Sequence, residues 1–339
     1  MSGIEILEVS LISAAVIGAL LTGFAYATWF ERKVIARMQA RLGPNKAGPA
    51  GLLLPAADGV KLIFKENVIP AAVDKGMYFL APLISMIVAL LAFAVIPLGD
   101  PIQVPWREGL MRLGIADFNV ALLYVLGVSS FAVYGISLAG WASNNKYALI
   151  GGMRSAAQMI SYELAMGISL LGVVMIVGSM SVTDIVLWQK SHVWLILVQP
   201  LGFVIYAITA LAETNRAPFD MPEAEQELIA GYHVEYTGMR FALFFQAEYI
   251  NMLTVSALGA SLFLGGYALP FVELPWFGDL AVLLAKVVLG MFMFVWIRAT
   301  VPRLRYDQLM DFGWKVLLPL SILNLVLTAV GIVAYQNWM

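Results

Sequence analysis

At 339 residues, of which 61% are hydrophobic and only 12% charged, with a mean hydropathy of +0.85, the chain has the composition of a polytopic membrane protein and not of a soluble domain. The absence of cysteine excludes disulfides, thiolate zinc sites and cysteine-ligated iron–sulfur clusters, and two histidines, His192 and His233, are too few for a haem or multi-histidine metal site. The net charge of −2 excludes little, because the placement of the charges carries the information.

Apolar runs of spanning length fall near 9–30, 77–98, 118–140, 157–180, 193–212, 241–268, 280–301 and 314–335. They predict an all-α polytopic membrane protein, a single integral domain of about eight transmembrane helices. Glu5 and Glu8, with no basic residue, precede the first run. That is the wrong charge for a cleaved signal peptide, so the run is read as a retained span. Sixteen of the 20 Lys and Arg residues lie in the connections after the first, third, fifth and seventh runs. By the positive-inside rule those connections face the cytoplasm and both termini face out.

The first such connection reads as two surface helices. In ERKVIARMQARLG, Val34, Ile35, Met38 and Leu42 recur with helical period while Lys33, Arg37 and Arg41 occupy another face. This is the pattern of a helix lying in the interface, ended by Gly43 and Pro44; alone, it means contact with lipid headgroups. The stretch GPAGLLLPAADGVKLIFKE repeats the pattern, with Asp58, Lys61 and Lys65 together. Asp58 is placed either to pair with Lys61 or to bind the polar end of a lipophilic ligand. After the third run, Trp141 marks the interface and Gly151 and Gly152 suggest a short polar loop. Glu163 then falls among Met159, Ile160, Met166 and Gly167, so it must face another helix and not lipid.

The central connection, AETNRAPFDMPEAEQELIAGYHVEY, is the acid-rich island of the chain. Glu213, Asp220, Glu223, Glu225, Glu227 and Glu235 lie in it, with Arg216 and His233 as nearby bases. Pro218 and Pro222 break the chain, and Asp220 followed by Glu223 suggests a capped short helix over PEAEQELIAG. Glu223 and Glu227 would share its face, where like charges favour protonation of one of them. The bland reading is a solvated acidic loop. Glu213 and Glu248 are harder to dismiss, since both sit at the ends of apolar runs, with Asn251 one turn beyond Glu248. In the last basic connection, WIRATVPRLRYDQLMDFGWK, Arg298, Arg303 and Arg305 stand beside Asp307 and Asp311, as a salt-bridge set would. No P-loop and no GxGxxG after a strand is present, which argues against nucleotide binding.

Together, ERKVIARMQARLGPNKAGPAGLLLPAADGVKLIFKE, GWASNNKYALIGGMRSAAQMISYE, AETNRAPFDMPEAEQELIAGYHVEY and WIRATVPRLRYDQLM resemble the H subunit of respiratory complex I, the relative of the mitochondrially encoded first NADH dehydrogenase subunit. The resemblance runs from the end of the first span to the start of the eighth, with the segments in the right order. It implies a subunit of a proton-translocating NADH:quinone oxidoreductase in a bacterial cytoplasmic membrane. Connections 31–76, 141–156, 212–240 and 299–313 would then dock the peripheral arm, whose subunits carry the iron–sulfur centres and complete the quinone site. Antiporter-like subunits would flank the chain in the membrane arm, with lipid around it and no nucleic acid as partner. Ubiquinone or menaquinone would be the substrate, with no metal or flavin bound by this chain.

Matching motif to motif, the resemblance puts Arg32, Arg41, Asp58 and Arg298 along the quinone tunnel. It puts Glu163, Glu213, Glu223, Glu225, Glu227, Glu235 and Glu248, with Asp220 and Arg216 beside them, in the acid group that couples the quinone cavity to the membrane interior. Some relatives carry a further acid in the third span, near the place of Ser129 and Ser130 here. The rivals are the equivalent subunit of a membrane-bound hydrogenase-type complex, a stand-alone ion transporter, and an anchor without chemistry. A transporter needs acids across the whole bilayer, and an anchor gains nothing from Glu163.

Overall fold

The computed structural model describes residues 3–103, 110–221, 229–272 and 275–338. Among them are seven helices long and apolar enough to cross a membrane, plus a shorter apolar helix. In chain order, α1 is Gly3–Met38, α2 Leu54–Phe64, α3 Lys75–Ala92, α4 Ala121–Ala142, α5 Lys146–Val177 and α6 Val182–Ser191. Then come α7 (Leu195–Val198), α8 (Pro200–Glu213), α9 (Met239–Phe263), α10 (Trp276–Thr300), α11 (Tyr306–Phe312) and α12 (Leu318–Trp338).

The α9 helix is the most buried of the spans, and α1 and α12 are the least. Helix α3 packs on α4, α4 on α5, and α5 on α8 and α12; α9 in turn lies against α3 and α10, and α1 against α9 and α10. The main core joins α4, α5, α8, α9 and α10 through Leu122, Tyr162, Tyr206, Met252 and Met291, all nearly or wholly without exposed surface. Small residues set the closest approaches. A Cβ on Gly140 would stand 2.5 Å from the Ala148 carbonyl oxygen, and one on Gly151 would stand 2.9 Å from Gly231 Cα.

Four expectations are corrected. The segment ERKVIARM is no separate interfacial helix. It continues α1 through Met38, because nothing between Phe30 and Met38 interrupts helical hydrogen bonding; of the two surface helices expected in this connection, α2 alone is separate. Gly151 and Gly152 loosen no loop: both lie inside α5, which starts at Lys146, and their missing side chains admit α4 and the Gly231 backbone. The fifth span is broken at Gln199 (φ −127°, ψ 60°), since Pro200 offers no N–H to continue α7. Strands β1 (Gly99–Gln103) and β2 (Leu110–Leu113) pair antiparallel, Ile102 opposite Met111, as a small hairpin beside the helices. The eighth span begins early, with α11 joined to α12 by a π turn at Gly313–Leu317.

Candidate functional site

The turn after α8 builds the centre of the site. Asn215 takes a left-handed φ of 52°, which its short amide tolerates, and a cis Ala217–Pro218 bond follows. Gln158 of α5 clasps both sides of the turn: its Nε2 donates to the Ala212 carbonyl at 2.8 Å and to the Phe219 carbonyl at 2.7 Å. Arg216 is thereby driven inward and is only 5% exposed.

A buried guanidinium requires compensation. Its Nε stands 2.6 Å from Glu248 Oε1 and its Nη1 3.6 Å from Glu31 Oε2. Its plane lies 4.2 Å from the ring of Tyr249. Nε and Nη2 find no aligned hydrogen-bond acceptor among the described residues, so these contacts hold by charge more than by directed bonds. Burial disfavours the guanidinium charge, but Glu248, Tyr249 and Glu31 outweigh it and raise the group above its ordinary value. Glu31, itself 5% exposed, accepts from the Tyr249 hydroxyl at 2.7 Å and pairs with Arg298. Two carboxylates therefore share one interior cation, and Arg298, more than a third exposed, completes the group toward the surface.

From this group the polar residues continue inward. A cavity of about 40 Å³ is bordered by Glu248, Asn251, Glu213, Asn215, Tyr232 and Ser85, large enough for water. A second, of about 20 Å³, lies beyond Glu213 and Asn251 and is lined by Ser129, Thr254 and otherwise mainly apolar side chains. Glu213 Oε2 is buried with no hydrogen-bond donor among the described residues. The Ser129 hydroxyl stands at the Glu213 carboxyl, and Glu163 is close enough to repel it. Ser130 donates to Glu163 Oε1.

The other expected residues distribute as follows. Asp58 pairs with Lys61 at 3.0 Å and, across 26 residues, with Arg32 at 3.0 Å, tying α2 to α1. Partial burial pushes this carboxyl up, but Lys61 and Arg32 prevail and hold it below the usual carboxylate range. Arg41 is exposed and makes no ion pair among the described residues, so the structure does not bring it to the others. Asp220 is 6% exposed and bound by Arg303 at 2.5 Å; it fastens the central turn to the last basic connection. Glu235 accepts from Asn145 at 2.8 Å while its backbone carbonyl accepts from Tyr78 at 2.7 Å. Glu223, Glu225 and Glu227, with the short helix expected around them, lie outside the described residues. Among the described residues no three His, Cys, Asp or Glu side chains group as metal ligands.

Sequence reasoning missed Glu31, Tyr249 and Gln158. Glu31 was hidden in a charged run, and only its distance from Arg32, Lys33 and Arg37 around the helix could have singled it out.

The NADH dehydrogenase family profile matches residues 11–329. The H subunit of the Protochlamydia amoebophila NADH-quinone oxidoreductase is 55% identical over 309 residues, 91% of this chain and 92% of the relative. This chain belongs to the H-subunit family of NADH-quinone oxidoreductases. The Thermomicrobium roseum member is 52% identical over 94% of both chains. Its Thermus thermophilus counterpart, which carries the number 8 in that oxidoreductase, is 48% identical over 95% of this chain and 86% of its own length. As a member of this family the chain is a multi-pass membrane component of an enzyme complex.

Proposed function

We propose that this subunit frames the path of quinone and converts its reduction into a change of protonation along the buried acids. The reading rests above all on one observation: Arg216 is shared by Glu31 and Glu248, beside a cavity that continues to Glu213. A quinone tail needs an apolar passage and its head needs polar groups that orient it. Asp58, Arg32, Arg41 and Arg298 serve the passage. Reduction of the head draws protons. At the low dielectric of the interior, a unit charge gained or lost at Glu31 or Glu248 alters the ionisation of Glu213 and then of Glu163. Glu223, Glu225, Glu227 and Glu235, with Asp220, extend this group through the central connection.

The basic connections then face the cytoplasm of a bacterial inner membrane, with both termini outside, and dock the iron–sulfur subunits of a peripheral arm. Antiporter-like neighbours receive the signal. The test is Glu213→Gln and Glu163→Gln in the assembled complex, reconstituted in vesicles with NADH and quinone. Proton translocation per quinone reduced is expected to fall several-fold in both. Full translocation in both variants would sink the reading.

A further inference from the structure

Ser130 of α4 has two acceptors for one proton. Its hydroxyl bonds Glu163 Oε1 of α5 and also lies 2.9 Å from the Leu126 carbonyl oxygen of its own helix. A hydroxyl donates a single hydrogen but accepts through two lone pairs, so it serves one of these acceptors at a time. Leu126 O is not exclusive to it, since the Ser129 hydroxyl lies 3.0 Å from the same oxygen. A carbonyl has two lone pairs and can accept both.

We propose that Ser130 is a positioning residue for Glu163, holding the carboxyl in one place through both of its protonation states by rotating a single hydroxyl. With Glu163 ionised, Ser130 O–H donates to the carboxylate. When Glu163 takes up a proton, its own O–H donates to Ser130 Oγ, and the serine hydrogen turns to Leu126 O. No proton leaves the serine, and neither its hydroxyl nor the carboxyl oxygen facing it is stranded in either state. In hydrocarbon surroundings a stranded carboxyl or hydroxyl costs enough to pull the acid out of position. Ser129 borders the adjoining cavity with Glu213, so neighbouring residues of α4 attend to the two acids and park on one carbonyl. The inference rests on the proposed change of protonation at Glu163.

The test compares Ser130→Thr with Ser130→Val, side chains of the same shape that differ by a hydroxyl, in the assembled and reconstituted complex. Two readouts are taken: turnover coupled to proton translocation, and the carboxyl stretching band on quinone reduction that Glu163→Gln abolishes. Threonine is expected to keep both. Valine is expected to move the band to higher wavenumber and to slow coupled turnover about tenfold, as for the loss of one hydrogen bond to a charged group. If valine crowds the helix pair and prevents assembly, Ser130→Ala replaces it in the same comparison. A hydroxyl-free variant with the native band and turnover overturns the inference. If Glu163→Gln and Glu213→Gln both remain fully coupled, the underlying reading falls as well; if only the serine variants are silent, that reading stands.

Discussion

Two groups of charged side chains occupy opposite ends of the bundle, as α10 makes plain: Asp279 opens that helix and Arg298 stands near its close. At the hairpin end, Lys190 pairs with Asp100 at 2.5 Å, both about a quarter to a third exposed. The Tyr267 hydroxyl donates to Asp100 at 3.0 Å, and the buried Asp279 accepts from the Asp100 backbone at 3.2 Å. Each contact there fastens one segment to another: β1 to the end of α6, to the α9–α10 link and to α10. At the other end, Glu31 and Glu248 compete for one buried guanidinium. Protonating either acid changes what the other feels. The residue types are the same, but sharing and burial turn the second group from a fastening into something that can change state.

Substitutions at three positions probe that contrast. The largest effect is expected for Arg216→Gln, which leaves two interior carboxylates without their common cation; breaking such a pair typically costs ~3–5 kcal/mol. Turnover per copurified complex should fall at least tenfold, with Arg216→Lys in between. Lys190→Met should lower the thermal midpoint by the equivalent of about 1 kcal/mol or less, since its pair is partly solvated, and should leave quinone reduction unchanged. A Lys190 variant as damaged in turnover as the Arg216 variant would erase the distinction.

The smallest effect is expected for Asp58→Asn, again up to about 1 kcal/mol in the stability of the complex. Its sign with pH is fixed. The folded carboxyl lies below its ordinary value of 3.8, so its contribution is complete above that pH and disappears as pH falls through the lowered value. Melting curves of the wild type and Asp58→Asn should therefore converge only under strongly acidic conditions.

Much of this was readable from one chain. Glu163 could not face lipid, and the structure gives it Ser130 on α4. Glu248 and Asn251 shared a helical face, and both border the cavity at Glu213. Asp58 was read as pairing with Lys61 or binding a ligand; the pair with Lys61 is there, and so is Arg32. What escaped were partners far apart in the chain. Glu31 reaches Tyr249 across 218 residues and Arg298 across 267, and no local period carries such information. Gln158 escaped for the same reason: the carbonyls it binds, Ala212 and Phe219, lie 54 and 61 residues further along. The break at Gln199 had a visible cause in Pro200, but hydropathy alone ran straight over it.

The length of α5 has one more consequence. Its 32 residues carry no proline and no interruption, giving a rod of about 48 Å where ~30 Å would cross the hydrocarbon. Glu163 rides near the midpoint, and the Lys146 end is packed in, with Ala148, Gly151 and Gly152 buried. A shaft without a proline has no built-in joint between that end and the carboxyl, so the two keep one register.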